Sequence, residues 1–180
     1  TTLVIQASAW KFIINTDYGA LNTLLKTLGI IQQNVNWTPT PEAYFAWEIA
    51  CGIFVTIPFV CFTALSGLQS IDNSLYEAAT VDGSNYWQKL FHITLPLVKP
   101  SLTVATVLNI IYVFNSFPIV WTMTKGDPAS RTDTLVTYLY KLAFYNGKQG
   151  EAAAVSVIGF LILLVCASCY MVSTLKKGED

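Results

Sequence analysis

The chain has 180 residues, 53% of them hydrophobic and 12% charged, with a net charge of −1. A soluble domain carries about a quarter charged residues, so half that level places the chain among membrane proteins, and nothing basic is left over for nucleic acid. One histidine, and four cysteines (Cys51, Cys61, Cys166 and Cys169) that all sit in apolar runs, argue against a metal site or a disulfide framework.

The first element, residues 1–14, begins "TTLVIQASAW" and stays apolar up to Lys11. It is too short to cross a bilayer, and it has neither a methionine nor a basic region at its head. It is expected to be the end of a span whose beginning belongs to a longer protein. Residues 15–41 hold "NTDYGALN" and "NVNWTPTP", which predict a short interfacial helix over 19–28 and then a loop. Asn36 heads a glycosylation triplet, a pattern frequent by chance. The first complete span is expected over about 43–71, charge-free between Glu48 and Asp72 and kinked at Pro58.

Residues 72–99 are too short and too polar to span. Ser74 and Glu77 have capping-box spacing, which predicts a helix over 75–81. Gly83 suits the left-handed conformation that ends a helix. Ser84 or Asn85 can start a second one, with Tyr86, Trp87, Leu90, Phe91 and Ile93 on its apolar side. Pro96 disfavours helix at Leu95, so a break is expected there. Ala78 and Ala79 are small enough for close approach, which suits a knob inserted into a partner's groove.

The next span is expected over about 100–124, charge-free between Lys99 and Lys125. On it Asn109, Tyr112 and Ser116 share a face, with Asn115 beside them. Polar groups in a span face a cavity or another helix. Pro118 is read as a kink. Residues 125–150 begin with the turn "KGDPAS". Leu135, Leu139, Leu142 and Ala143 then predict a re-entrant or interfacial helix, capped by Thr132 or Asp133 and ended by Gly147. The last span covers about 151–175. The fold class is an all-α membrane protein, a polytopic transmembrane helical bundle in one transmembrane domain over 1–180. Charge decides its orientation poorly. Lys176 and Lys177 favour a cytoplasmic end, whereas Lys89 and Lys99 are outnumbered by the basic residues of the opposite loops.

Glu77-Ala78-Ala79, then Gly83, then Ile93-Thr94-Leu95-Pro96 meets every spacing of Glu-Ala-Ala, three residues, Gly, nine residues, Ile-x-Leu-Pro. That is the signature loop of permease subunits of binding-protein-dependent ABC importers, which this chain resembles from about Trp10 to the last span. "NTDYGALN", "GLQSIDNSLYEAATVDG" and "TDTLVTYLYKLAF" resemble the carbohydrate branch of the family. "KGDP" stands where a Gly-Gly-Pro turn is usual, which affects only an outer loop. Such permeases commonly have six or more spans, so the chain looks like the C-terminal portion of one.

The resemblance implies a cytoplasmic coupling-helix loop over about 72–99. Its Glu77, Ala78, Ala79, Asp82 and Gly83 would dock in a cleft of an ATPase subunit. Read locally, Glu77 only completes a cap, Gly83 only stops a helix and Asp82 is a solvated end. The resemblance also implies a solute path lined by Asn109, Tyr112, Asn115 and Ser116. Anchoring on the loop and on Pro58 adds Gly52, Thr56 and Phe59 to it. The implied partners are ABC ATPase subunits (a homodimer or a pair), a second permease subunit, an extracytoplasmic solute-binding protein, a small-molecule sugar and the lipid bilayer. The implied location is a bacterial or archaeal cytoplasmic (inner) membrane, crossed several times. The chain has no phosphate loop of the G-x-x-x-x-G-K-[ST] kind, so it is expected to be a transport subunit without cofactors or metal, not an enzyme. ATP and Mg would bind the partner ATPase, which would drive alternating access. The alternatives are a permease for an amino acid, peptide or polyol, an ion-coupled secondary transporter, and a non-transporting anchor for an ATPase. Glu48, the acidic residue nearest a span, sits at its end, which disfavours the ion-coupled reading.

Overall fold

The computed structural model describes residues 3–176, so residues 1–2 of the first expected element, and Lys177, lie outside the described residues. Regular structure within them is helical: α1 (Leu3–Ile13), α2 (Ala20–Thr27), α3 (Pro41–Gln69), α4 (Asn73–Val81), α5 (Tyr86–Lys89), α6 (Leu95–Phe114), α7 (Phe117–Met123), α8 (Leu135–Tyr140) and α9 (Gln149–Lys176). Wide π-turns at Leu90–Thr94 and Lys141–Tyr145 follow α5 and α8. Three helical stretches are long and apolar enough to cross a membrane: Pro41–Gln69, Tyr86–Phe114 and Gln149–Thr174. In hydrocarbon only a helix satisfies its own backbone, which is why these runs fold as helices.

The second of these spans differs from the expectation at both ends. Its start shows no break at Pro96, because the π-turn widens the backbone just ahead of the ring. The Leu95 N–H bonds to the Leu90 carbonyl, and the Thr94 hydroxyl donates to the Lys89 carbonyl at 3.3 Å. Pro96 and Pro100 then lie within or against an uninterrupted helix. Its far end is Phe114, not residue 124. Pro118 cannot donate to the Phe114 carbonyl, and its ring would crowd it, so the ladder stops and Pro118 takes a place in the first turn of α7. Pro118 is a boundary and not a kink.

The chain divides into two compact units. One comprises residues 1–55 and 113–161, the other 56–112 and 162–180. In the first unit α1 packs on α7 around Ala7, Ile14, Cys51, Ile119 and Met123, with Trp10, Trp37 and Trp47 covering this core. Ala7 and Cys51 are fully buried small residues, which lets the helices approach closely. Buried Asn22 holds the loop between α2 and α3. Its amide donates to the Thr16 carbonyl at 3.0 Å and the Val35 carbonyl at 2.9 Å. Its oxygen accepts the Val35 N–H at 3.2 Å and the Trp37 indole N–H at 2.9 Å. Asn36 closes a local turn by accepting the Thr38 N–H at 3.0 Å. The cap of α8 is Thr134, in a reciprocal pair with Thr137, and neither Thr132 nor Asp133. Those two are engaged elsewhere: Thr132 donates to the Asp127 carbonyl at 3.0 Å, and Asp133 pairs with Lys141 at 2.9 Å.

In the second unit α3 meets α6 at Gly67. A Cβ placed there would come within 2.9 Å of the Ser101 Cβ and 3.3 Å of a Val98 methyl, so the glycine is what permits the crossing.

Candidate docking loop and solute path

The loop between α3 and α6 is built from local signals. Asp72, not Ser74, caps α4, because its carboxylate accepts the Ser74 N–H at 2.9 Å and so occupies the position the capping-box pattern assigned two residues later. That backbone donor holds the Asp72 carboxyl below its ordinary range. At the other end Gly83 has φ +76°, the left-handed region expected of it. The Ser84 N–H reaches the Ala79 carbonyl at 2.9 Å and the Gly83 N–H the Thr80 carbonyl at 3.1 Å, the paired bonds of a Schellman stop. Asn85 then starts α5 in a capping box with Gln88, at 2.8 and 2.9 Å.

Two clips tie this hairpin of helices to the base of the following span. The Tyr76 hydroxyl meets the Thr94 hydroxyl at 2.9 Å. The Lys89 ammonium donates to the Thr80 hydroxyl at 2.7 Å. Both bonds escape sequence reading, because they join residues nine and eighteen apart with no periodic pattern between them.

The five expected docking residues therefore lie on one short element. Glu77, Ala78, Asp82 and Gly83 are exposed and Ala79 is half-buried. Val81, which the sequence did not single out, is 88% exposed on the same helix, and Leu75 is exposed too. Both add apolar surface to the helix that carries the expected docking residues.

The expected path residues are placed less evenly. Asn109 and Tyr112 sit one turn apart on α6 in the second unit, with Tyr112 exposed and Asn109 half-buried. Thr56 and Phe59 are on α3 in that unit, Thr56 half-buried and Phe59 exposed. Gly52 belongs to the first unit, and a Cβ added to it would meet open space. Asn115 follows the end of α6 and Ser116 caps α7, both in the first unit. The single helical face expected from Asn109 to Ser116 is interrupted at Asn115, because α6 ends one residue earlier.

Glu48 is a further polar residue of note. It is 4% exposed, and its carboxylate accepts the Thr124 hydroxyl at 2.6 Å, a partner 76 residues away. Thr124 in turn contacts the Thr132 hydroxyl at 2.9 Å.

Residues 5–175 match the family of binding-protein-dependent transport system inner membrane components. A probable ABC transporter permease protein of Brucella suis biovar 1 is 49% identical over 170 residues, which cover 94% of this chain and 59% of that protein. The trehalose/maltose transport system permease protein MalF of Thermococcus litoralis is 36% identical, over 93% of this chain and 56% of its own length. The chain thus spans little more than half the length of these relatives. The structure is similar, at a TM-score of 0.80 and 25% identity over 94% of this chain and 58% of the other, to a bacterial alginate ABC transporter solved in complex with an alginate pentasaccharide-bound periplasmic protein.

Proposed function

The chain belongs to the family of binding-protein-dependent transport system inner membrane components, and on that premise we propose that it forms part of a permease subunit that imports a sugar or oligosaccharide at the expense of ATP hydrolysed on a partner chain. The observation that carries this is the exposed α4, closed by Asp72 and Gly83 and presenting Ala78 and Val81 to solvent with Ala79 half-buried beside them. In this reading α4 sits in a cleft of an ABC ATPase, with Ala78 and Ala79 allowing close contact. Two ATPase subunits close around ATP and Mg and draw together the coupling helices of this chain and of a second permease subunit. The cavity then switches from inward- to outward-facing, where a solute-binding protein delivers the sugar. ATP and sugar each act only through their different affinities for the two states. The α4 side of the membrane is cytoplasmic, and the membrane is the inner one.

The sugar assignment is supported by the carbohydrate named for the Thermococcus relative and for the alginate transporter. Asn109 and Tyr112 offer an amide and an aromatic face, the chemistry that holds a pyranose. An ion-coupled mechanism would use a carboxylate in the path; Glu48 lies in the first unit, away from Asn109 and Tyr112 on the chain, and bonds Thr124 through one of its two oxygens.

The test uses the full-length permease reconstituted with its ATPase and binding protein. Gly83→Val opposes a left-handed conformation at a cost of about 1–2 kcal/mol, and Ala78→Trp places a large ring where the cleft must close. Both variants are expected to insert normally. They are expected to lose the ATPase in mild detergent, or to hydrolyse ATP without response to sugar-loaded binding protein. Normal copurification together with normal sugar-stimulated hydrolysis in both would defeat the proposal. Uptake that resists vanadate would point to the ion-coupled alternative.

A further inference from the structure

A groove of about 630 Å³ in the second unit lies apart from the expected docking residues on α4 and from the expected path residues. It runs between the start of α6 and the end of α9, lined by Phe91, Leu95, Lys99, Leu102, Tyr170 and Thr174 among others. Its walls are largely apolar, and Lys99 is the cation in it.

Depth makes that lysine unusual. About 20 helical residues cross the hydrocarbon. Taking the 20 residues of α6, Leu95–Phe114, as the crossing puts the Lys99 backbone about 6 Å from its start. Among the described residues its ammonium has no hydrogen bond or ion pair. The Tyr170 hydroxyl across the groove also has no hydrogen-bond partner among them. Just ahead on the same helical stretch, Tyr86, Trp87 and Phe91 are exposed, with Trp87 stacked on Phe91 at 6.3 Å. Aromatic rings of this kind gather at headgroup level. Lys99 lies eight residues, about two turns, deeper than Phe91, and its stem reaches back toward that level while its methylenes stay in the apolar groove.

We propose that this groove binds an anionic phospholipid, with the phosphate on Lys99 and the Tyr170 hydroxyl, the headgroup toward Leu95 and Phe91, and an acyl chain running inward past Leu102. Charge complementarity and depth select this occupant. A protein segment would have to carry a carboxylate into the hydrocarbon to meet Lys99, whereas a phospholipid already holds its phosphate at that level. The site rests on reading α6 and α9 as spans, and it does not depend on the import mechanism.

The experiment purifies the full-length permease with its ATPase in mild detergent and measures retained phosphatidylglycerol and phosphatidylcholine by native mass spectrometry. The wild type is expected to retain phosphatidylglycerol preferentially. Lys99→Gln should lower that retention about fivefold, the effect of one basic charge at a membrane surface, and Tyr170→Phe by a smaller factor. Unchanged retention in Lys99→Gln would overturn the proposal. So would a photo-crosslinker at Leu102 that captures another protein segment of the complex instead of lipid. A complex that retains phosphatidylglycerol and yet moves no sugar supports the site and tells against the import reading alone.

Discussion

At Asp72 one carboxylate caps the start of a helix, and its charged form caps better than its neutral one. The Ser74 N–H favours the charged form and lowers the folded pKa. The stabilisation is therefore present above the ordinary carboxylate range and is lost as pH falls through the lowered folded value. Protection of the Leu75 and Tyr76 amides against hydrogen exchange, with the intrinsic pH dependence of exchange divided out, should fall on acidification in the wild type, and Asp72→Asn, which caps without ionising, should remove that dependence. An acid response that persists in Asp72→Asn would place its origin elsewhere. Asn22 works through its amide instead. Replacing it with alanine strands two N–H groups and two carbonyls of the loop between α2 and α3, with a cost on the order of 3 kcal/mol. Proteolysis over residues 29–40 should then be about a hundredfold faster, because cleavage follows local opening. No change in cleavage would mean that the tryptophan packing of Trp37 and Trp47 holds the loop by itself.

The elements show which signals are readable from neighbours alone. Gly83 and the Asn85 cap were legible, because a left-handed stop and a reciprocal cap are written within a few residues. Asp72 was not, since Ser74 and Glu77 satisfy the same rule two residues later and only geometry chooses between them. The start of the second span was misjudged for a different reason. A proline predicts a break, but a π-turn ahead of it absorbs the missing donor, and no residue pattern announces that turn. The burial of Glu48 depends on Thr124, far away in the chain, so its sequence neighbourhood held no sign of it. The α3–α6 crossing at Gly67 belongs to the same long-range class and yields a direct test. Gly67→Leu should destabilise the assembled permease by about 1–3 kcal/mol through overpacking against Ser101 and Val98. Gly67→Ala should cost less, and adding Ser101→Gly should recover much of its loss in thermal unfolding of the detergent-solubilised complex. Failure of that second substitution to help would show that the backbone, not the serine side chain, sets the crossing.

For the whole molecule, three membrane-length helices, family membership and a solved structure of similar fold agree on a helical, multi-pass inner membrane component. The solute path is the part that needs function to define it. Asn109→Leu and Tyr112→Ala should each reduce sugar uptake at least tenfold while leaving membrane levels and ATPase copurification unchanged. Undiminished uptake in both would remove this face of α6 from the path. The two clips of the docking loop bear on how such a path could be driven at all. With Tyr76 fastened to Thr94 and Lys89 to Thr80, α4 and the foot of α6 have little slack between them. In the proposed docking, a push on α4 reaches the foot of the span through these two bonds as well as through the short connection. The stiffness of that joint, more than the strength of the grip on α4, then sets how much of each stroke reaches the interior of the membrane.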